Sequence, residues 1–307
     1  MLRARFALLN ENMRGAIYMT LAMLGFALND VVTKAFTHEM EIGQLLFLRG
    51  LFAITLVWLV ARATGQLRPL RMALQPRIVL RSIGELIATY TFITALFHIP
   101  IANVSAIMQA LPLAITIGAM MFFGEKVGWR RMTAIAIGFA GVLVIVRPGP
   151  DGFNIYSLYA LAAVGGCVLR DLMTRKMSAT IPSLFVTLVT ATVVTVMGAA
   201  LVPFQEWRPV EAWHLWLMAL SSVFLLTGYF FAVISMRVGE IGFVSPFRYS
   251  VLIFSVMGGA LVYGEYPDII TLLGAAVIVA TGIYTFYRER MVRRQALERT
   301  AAMEALS

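Results

Sequence analysis

Long apolar stretches follow one another along this chain, with short polar connections between them. A bilayer core about 30 Å thick needs about 20 apolar residues per crossing helix, so each stretch is a candidate membrane span. Ten stretches qualify, near residues 14–34, 43–62, 78–97, 102–123, 131–146, 155–175, 182–202, 213–233, 243–263 and 269–287. They are numbered helices 1 to 10 here, and the fifth is the shortest. The pattern predicts an all-α integral membrane protein with ten transmembrane helices.

The chain contains an internal duplication. Helix 4 ends at the pair Gly124-Glu125 and helix 9 ends at Gly264-Glu265, and a further apolar stretch follows each pair. Because an odd number of helices, five, separates the two copies, homologous helices enter the bilayer from opposite sides. The predicted architecture is therefore two inverted-topology five-helix repeats. Both glutamates are expected at membrane boundaries, where solvent hydrates the charge, and neither is predicted to carry protons.

Composition and charge support the membrane class and predict an orientation. Apolar residues make up 60% of the chain and charged residues 13%, against roughly 25% charged in soluble domains. With a cytoplasmic N-terminus, most Lys and Arg residues fall in cytoplasmic segments, and the outer ends hold only Lys34, Arg147 and Arg208. The positive-inside rule then predicts that both termini are cytoplasmic, in a bacterial inner membrane. The net charge of +9 is scattered along the chain, which argues against a nucleic-acid partner.

One compact membrane domain is expected, because no linker of flexible composition separates a soluble unit. Its first repeat spans residues 1–150 and its second spans 151–307, which includes a basic cytoplasmic tail after Tyr287. Cys167 is the single cysteine, so no intramolecular disulfide forms. No metal site, cofactor or obligatory protein partner is predicted; the expected partners are a small-molecule substrate and the lipid bilayer.

Particular sequence segments resemble a known family. Residues 95–148 contain Ala-Leu-Phe-His-Ile-Pro-Ile-Ala-Asn and Gly-Glu-Lys-Val-Gly-Trp-Arg-Arg, and the second half contains Val-Ser-Pro-Phe-Arg-Tyr and Tyr-Gly-Glu-Tyr-Pro. These segments resemble the EamA-type repeat of the drug/metabolite transporter superfamily, over nearly the whole chain. The resemblance implies a ten-helix carrier whose central cavity is lined mainly by helices 1, 3, 4, 6, 8 and 9. Members export or import amino acids, drugs, S-adenosylmethionine, nucleotide sugars and other metabolites.

Charged residues inside the predicted helices are candidates for the solute path, because a charge in hydrocarbon costs at least about 2.5 kcal/mol. Glu85 and Arg248 lie roughly 10 Å inside the cytoplasmic boundary, and Asp30 lies toward the outside. These three are predicted to contact substrate. Arg248 has no oppositely charged residue four positions away, which favours a functional role. Gating or structural charges are predicted at Arg49, Arg170 and Asp171.

The alternative is that these charges only stabilise helix ends through local pairs at i,i+4 spacing. Three pairs have that spacing: Arg81–Glu85, Asp30–Lys34 and Asp171–Arg175. Sequence alone leaves both interpretations open for each pair.

Prolines and polar side chains complete the candidate site. Pro112 of helix 4 and Pro246 of helix 9 each remove a backbone donor, and such broken helices often border transport sites. An ordinary packing kink is the alternative for either proline. Hydrogen-bonding or aromatic cavity walls are predicted at Asn29, Tyr90, Gln109, Tyr229 and Tyr249. The aromatic residues could equally face lipid, and Asn29 could cap helix 1. Glycine pairs such as Gly165-Gly166 are predicted to let helices approach closely.

The favoured hypothesis is an alternating-access carrier that exports small metabolites, and neutral or aromatic amino acids in particular. Glu85 and Arg248 would give its cavity both signs of charge, as a zwitterion requires. The alternative is uptake or export of a cationic or nucleotide-like metabolite or drug. An enzyme is not expected, since HExxH and GxSxG motifs are absent; a membrane-embedded lipid-modifying enzyme is a remote alternative.

Overall fold

The computed structural model describes residues 11–37, 39–124, 128–147, 154–178, 180–238 and 241–304, and these residues form helices and turns without strands. The linker 148–153 and Glu125 lie outside the described residues. The principal helices are α1 Glu11–Lys34, α2 Ile42–Ala63, α3 Pro76–His98, α4 Ile101–Phe123, α5 Trp129–Val146, α6 Ile155–Arg175, α7 Ser183–Leu201, α8 Ala212–Val238, α9 Ser245–Tyr263 and α10 Ile269–Glu304. Short helical turns at Leu70–Leu74, Val202–Phe204 and Ile241–Val244 lie between them.

Within the described residues, nine of these helices are long and apolar enough to cross a membrane. The apolar part of α5, Met132–Val146, is shorter than the others. The structure therefore confirms the all-helical membrane class. The tenth span and the inverted orientation of the repeats stay predictions.

Helices α4 and α9 share two irregularities. In α4, the helical segments Ile101–Met108 and Leu111–Phe123 are separated by a turn next to Pro112. Helix α9 begins as a 3-10 segment, Ser245–Tyr249, which contains Pro246. Both helices end at a glycine with left-handed backbone, at φ 66° for Gly124 and 65° for Gly264. Glycine adopts this conformation without steric cost, so the two copies end their helices in the same way.

The most extensive helix contacts join one repeat to the other. Helix α1 packs on α8, α3 on α6, α2 on α7, and α5 on α10, while α9 packs on α1 and α4 packs on α6. Each helix of the first half has a counterpart five helices later, so α1 corresponds to α6 and α5 to α10. If every helix is replaced by its counterpart, the same set of contacts results. This arrangement is what two structurally equivalent five-helix units produce when they interlock.

Small residues allow two of these helix pairs to approach closely. A Cβ atom added at Gly25 of α1 would lie 3.0 Å from the backbone nitrogen of Gly228 in α8. A Cβ added at Gly166 of α6 would lie 2.7 Å from the carbonyl oxygen of Gly84 in α3. The neighbouring Gly165 has nothing within 4 Å of an added Cβ. The prediction of close helix approach is therefore confirmed at Gly166 and wrong at Gly165.

Three apolar clusters lie inside the described bundle, and the smallest is the one around Met19 and Val244. The largest one joins α3, α4, α5, α6 and α10 around fully buried residues such as Ile107, Leu113 and Ile278. The second lies at the ends of α1, α2 and α3 that are predicted to face outward, around Phe36 and Leu96. Many large apolar side chains point away from these clusters and remain exposed, as expected for surfaces that contact lipid.

Candidate functional site

A polar cavity lies among α2, α3, α7 and α8, with about 820 Å³ of empty space including its mouth. Its charged lining residues are Arg49, Arg81 and Glu85, and Tyr229 contributes a phenol. Its hydroxyl groups come from Thr89, Thr187, Thr190 and Ser222. The remaining lining is largely apolar, which is the usual composition of a small-molecule site with a few orienting polar groups. The described residues contain no group of three or more His, Cys, Asp or Glu side chains that could hold a metal ion.

An ion-pair chain connects this cavity to α6. An Arg170 Nη atom lies 3.6 Å from a Glu85 Oε atom, and Arg170 Nε donates to Asp171 Oδ1 at 2.7 Å. The close approach of the two helices makes this possible, because Gly84 precedes Glu85 and an added Cβ there would lie 2.7 Å from the Arg170 nitrogen. Within the described chain, the ion-pair partner of Glu85 is thus Arg170 rather than Arg81. Arg81 attracts Glu85 electrostatically without a direct ion pair among the described residues, so the i,i+4 interpretation of Arg81–Glu85 stays open.

Arg81 connects three helices at the cavity wall. Its Nε atom donates to Thr174 Oγ1 of α6 at 3.0 Å, and one Nη atom donates to Thr190 Oγ1 of α7. Sequence reasoning treated Arg81 only as a partner of Glu85 and did not place it in the site. Its position one helical turn before Glu85, on the same face of α3, is the signal that would have found it.

A buried hydrogen-bond network lies beside Arg49. The Asn29 amide donates to Asp30 Oδ1 at 3.0 Å, and the hydroxyl of Ser221 in α8 donates to Asn29 Oδ1 at 2.8 Å. Arg49 donates to Thr33 Oγ1 at 3.1 Å and interacts electrostatically with Asp30. Asn29 and Asp30 therefore adjoin the cavity through Arg49, and Asn29 bonds side chains inside the bundle instead of capping α1.

A second ion pair closes the contact between the end of α1 and the segment after α9. Lys34 Nζ lies 2.6 Å from Glu265 Oε1 and donates to the carbonyl of Ile99 at 2.9 Å. The other Glu265 oxygen accepts the backbone N–H of Ile101 at 3.0 Å. Lys34 is 8% exposed and Glu265 is 25% exposed. The Glu265 charge is therefore stabilised by this ion pair as well as by solvent. The alternative of a local Asp30–Lys34 pair is not what the described chain shows, since this lysine pairs with Glu265.

Several predicted site residues do not line the cavity. Tyr90 and Pro112 lie outside its lining, and Gln109 is buried at the break in α4, where its backbone N–H reaches the carbonyls of Ser105 and Ala106 at 3.2 Å. On α9, Pro246 lies within the 3-10 segment and is not part of the cavity lining. The hydroxyl of buried Tyr249 packs against Gly282 of α10 and has no hydrogen-bond partner among the described residues.

Arg248 also lies on the 3-10 segment of α9, where its side chain is exposed. Asp171 attracts its guanidinium and Arg170 repels it, so it belongs to the same electrostatic group as the ion-pair chain. It is not part of the cavity lining. The structure thus brings Arg49, Glu85 and Tyr229 together in one cavity, places Arg170 and Asp171 against it, and leaves Arg248 at the edge of this charged group.

Comparison with known proteins gives a consistent result along the whole chain. The profile of the EamA-like transporter family matches residues 13–147 and 154–287, one match in each repeat. The S-adenosylmethionine uptake transporter of Rickettsia prowazekii is 24% identical, over 92% of this chain and 95% of its own. The riboflavin transporter of Vibrio cholerae is 27% identical, over 92% and 96%. The pseudopaline exporter of Pseudomonas aeruginosa is 24% identical, over 88% and 94%.

A protein whose crystal structure has been solved shares the fold of this chain. It superimposes with a TM-score of 0.62 at 17% identity and covers 89% of this chain and 97% of its own. Named relatives thus act on different solutes, while family and fold agree over both halves. This chain, a multi-pass membrane protein, belongs to the EamA-like transporter family.

Proposed function

We propose that this chain is an alternating-access carrier that moves a small metabolite through the cavity among α2, α3, α7 and α8. The observation that carries the proposal is the position of that cavity. Charged and hydroxyl side chains line it, although the four helices around it are apolar enough to cross a membrane. Charges at such positions are costly in hydrocarbon, and they typically mark solute or ion pathways.

The cavity chemistry suits a solute that carries a carboxylate. Each guanidinium has five N–H donors, and among the described residues the bonds of Arg49 to Thr33 and of Arg81 to Thr174 and Thr190 leave further donors on both residues for a solute. Glu85 can accept an ammonium group, and the apolar lining can accept an apolar side chain. Neutral or aromatic amino acids combine these three features, which makes them the first substrate class to test.

We also propose roles in the transport cycle for the remaining predicted residues. We assign Asn29 and Asp30 to the wall beside Arg49, and Arg248 to the opposite edge of the charged group. Tyr90, Gln109, Pro112, Pro246 and Tyr249 are assigned to the segments of α3, α4 and α9 that would rearrange when the path opens on the other side. The irregular geometry of α4 and α9 supports this assignment, because broken helices can bend with little loss of backbone hydrogen bonding.

A nucleotide-like metabolite is the second candidate. Two relatives that match almost the whole chain are named for S-adenosylmethionine uptake and for riboflavin transport. Tyr229 at the cavity wall offers a ring on which a flat base could stack. S-adenosylmethionine joins an amino-acid end to a nucleoside, so it would engage both kinds of group.

Flux into proteoliposomes tests the proposal. The panel contains labelled leucine, phenylalanine, S-adenosylmethionine, riboflavin, a nucleoside and a cationic drug. Arg81→Gln and Glu85→Gln are expected to reduce flux of the preferred solute more than tenfold per folded carrier. Arg68→Gln is the control, because Arg68 bonds the backbone carbonyls of Gly65 and Leu67 in the loop after α2 and does not line the cavity.

The outcomes separate the candidates. Saturable amino-acid flux that depends on Arg81 and Glu85 supports the first class. Saturable flux of riboflavin or S-adenosylmethionine without leucine or phenylalanine flux favours the second. A wild-type protein that moves no member of the panel, or cavity variants with full flux, would contradict transport through this cavity.

A further inference from the structure

A second cavity lies between α5 and α10, on a surface that shares no residue with the polar cavity. It is a groove with about 780 Å³ of empty space. Its lining consists of Trp129, Arg130, Thr133, Ala134, Ile137, Ala280, Thr281 and Tyr284. The charged and large aromatic residues lie at one end of this set and the small apolar residues lie deeper in the predicted spans. The groove is therefore amphipathic along its length.

The deep part of the groove exists because small residues bring α5 and α10 together. A Cβ added at Gly141 would lie 2.9 Å from the carbonyl of Gly274, so the two helices nearly touch there. Two hydroxyls near the groove bond backbone of their own helices, from Thr133 to the Arg130 carbonyl at 2.9 Å and from Thr281 to the Val277 carbonyl at 2.8 Å. The deep wall consequently presents mainly methyl and methylene groups, which suit an extended hydrocarbon chain.

The mouth of the groove has the opposite character. The Arg130 guanidinium lies 5.4 Å from the centre of the Trp129 ring, and Trp129 is 72% exposed. Tyr284 borders the mouth on α10, and Arg288 follows it by four residues on the same helical face. Trp and Tyr concentrate at the headgroup level of a bilayer, and basic residues between transmembrane helices attract anionic headgroups.

We propose that this α5–α10 groove binds a phospholipid with an anionic headgroup. One acyl chain lies along Ala134, Ile137 and Ala280, and the phosphate group lies against Arg130 and Arg288. The aromatic rings of Trp129 and Tyr284 flank the glycerol region. This assignment concerns a lipid site and does not depend on which solute the carrier moves.

Charge favours a lipid over a second copy of the chain as the occupant. A two-fold dimer through this groove would be isologous, so the same patch would face itself. Arg130 and Arg288 of one copy would then approach the same two guanidiniums of the other, and like charges at an interface repel. An anionic phosphate complements the same patch.

Tryptophan quenching by brominated lipids tests the site in the full-length protein. The protein is reconstituted in nanodiscs of phosphatidylcholine that contain a small fraction of brominated phosphatidylglycerol or, separately, of brominated phosphatidylcholine. We expect stronger quenching by the anionic lipid, and Trp129→Phe should remove this excess over phosphatidylcholine, while the other four tryptophans keep their quenching by both lipids. Arg130→Gln should lower the preference for the anionic lipid about fivefold, the effect of roughly one basic residue near a membrane surface.

The chain offers a matched control for the charge. Arg62 at the end of α2 stacks 5.3 Å over Trp58, the same pair of residue types, and neither residue lines the groove. Arg62→Gln should keep the wild-type preference. Ala280→Leu fills the groove at an exposed position without changing charge, and it should reduce quenching by both brominated lipids.

Three results would overturn the proposal. Equal quenching by the two brominated lipids in the wild type would show that the groove does not select charge. Equal losses in Arg62→Gln and Arg130→Gln would assign the preference to general surface charge. Cross-linking between copies through Ile137→Cys in a Cys167→Ala background, with Trp129 shielded from both lipids, would show that a second copy covers the groove.

Discussion

The ion pair between Lys34 and Glu265 allows a quantitative prediction of stability. In the variant Lys34→Met, Glu265 keeps the Ile101 N–H but loses its cation, and the Ile99 carbonyl loses its donor. Removing one partner of a buried pair costs about 3–5 kcal/mol, because a charge is left without compensation. Glu265 is 25% exposed, so we expect the lower end, about 3 kcal/mol. For a chain of 307 residues, this corresponds to a fall in melting temperature of roughly 5 °C.

The measurement uses the one cysteine of the chain. Cys167 is 6% exposed in α6, so it reacts with a thiol-reactive dye only when the protein unfolds. Unfolding in detergent can therefore be followed without introducing another cysteine. The double variant Lys34→Met/Glu265→Gln removes the unpaired charge and keeps an oxygen acceptor for Ile101. It should recover at least half of the lost stability, and comparison of its loss with the losses of Lys34→Met and Glu265→Gln alone gives the coupling between the two side chains.

Asp268→Asn is the control for an exposed pair. Asp268 lies directly before α10 and pairs with Arg147, and both side chains are well exposed, so the loss should be about 0–1 kcal/mol. The Thr271 N–H and Arg147 hold the pKa of Asp268 below its ordinary value. A lowered folded-state pKa stabilises the fold above about pH 4 and loses this effect as the pH falls further, so the control difference should vanish in acid. A melting curve of Lys34→Met equal to wild type, or strictly additive losses in the double variant, would refute the reasoning.

Three further predictions concern packing, recognition and topology. Gly166→Ala should lower the melting temperature, since its Cβ would lie 2.6 Å from the Ala88 nitrogen, while Gly165→Ala should be neutral or stabilising; equal effects would contradict the packing. Arg248→Met should reduce proteoliposome flux more than tenfold at unchanged melting temperature, and Arg248→Lys should restore only part of that flux. Full flux in Arg248→Met would show that Arg248 does not take part in transport. Single cysteines in a cysteine-free background should react with an impermeant maleimide from outside in the 203–212 loop, and labelling of the 63–77 loop in intact cells would refute the predicted topology.

The positions of most membrane helices could be predicted from the sequence, because the length of each apolar stretch determines them. The predicted helix over 102–123 corresponds to Ile101–Phe123, and the one over 155–175 to Ile155–Arg175. The duplication was visible in the Gly-Glu pairs, since glycine ends a helix in left-handed backbone without steric cost and does so in both copies. The 3-10 start of α9 was not visible, because Pro246 indicates a disruption without giving its form.

The site could be predicted only in part. Arg49 and Glu85 could be identified because a charged side chain within a membrane span is energetically costly. The hydroxyl residues of the cavity gave no such signal, because they commonly bond the backbone of their own helix, as Thr190 does with the Val186 carbonyl at 2.8 Å. Ion-pair partners were predicted from i,i+4 spacing, which describes one helix. The Lys34–Glu265 pair joins residues from opposite halves of the chain and depends on how α1 and α9 rotate against each other, which apolar length does not determine.

The interlocking of the two repeats has a consequence for biosynthesis. The first half leaves the ribosome with few of its extensive contacts available, because α1 packs mainly on α8 and α3 mainly on α6. At roughly 5–20 residues per second, α1 waits on the order of 10–40 s before α8 is synthesised. During that interval Asn29 lacks the Ser221 hydroxyl and the Asp30 and Arg49 side chains lack the shelter of the finished bundle. The native packing of α1 and α3 can therefore form only after α8 and α6 have been synthesised, so the polar side chains of α1 and α2 reach their native environment late in synthesis.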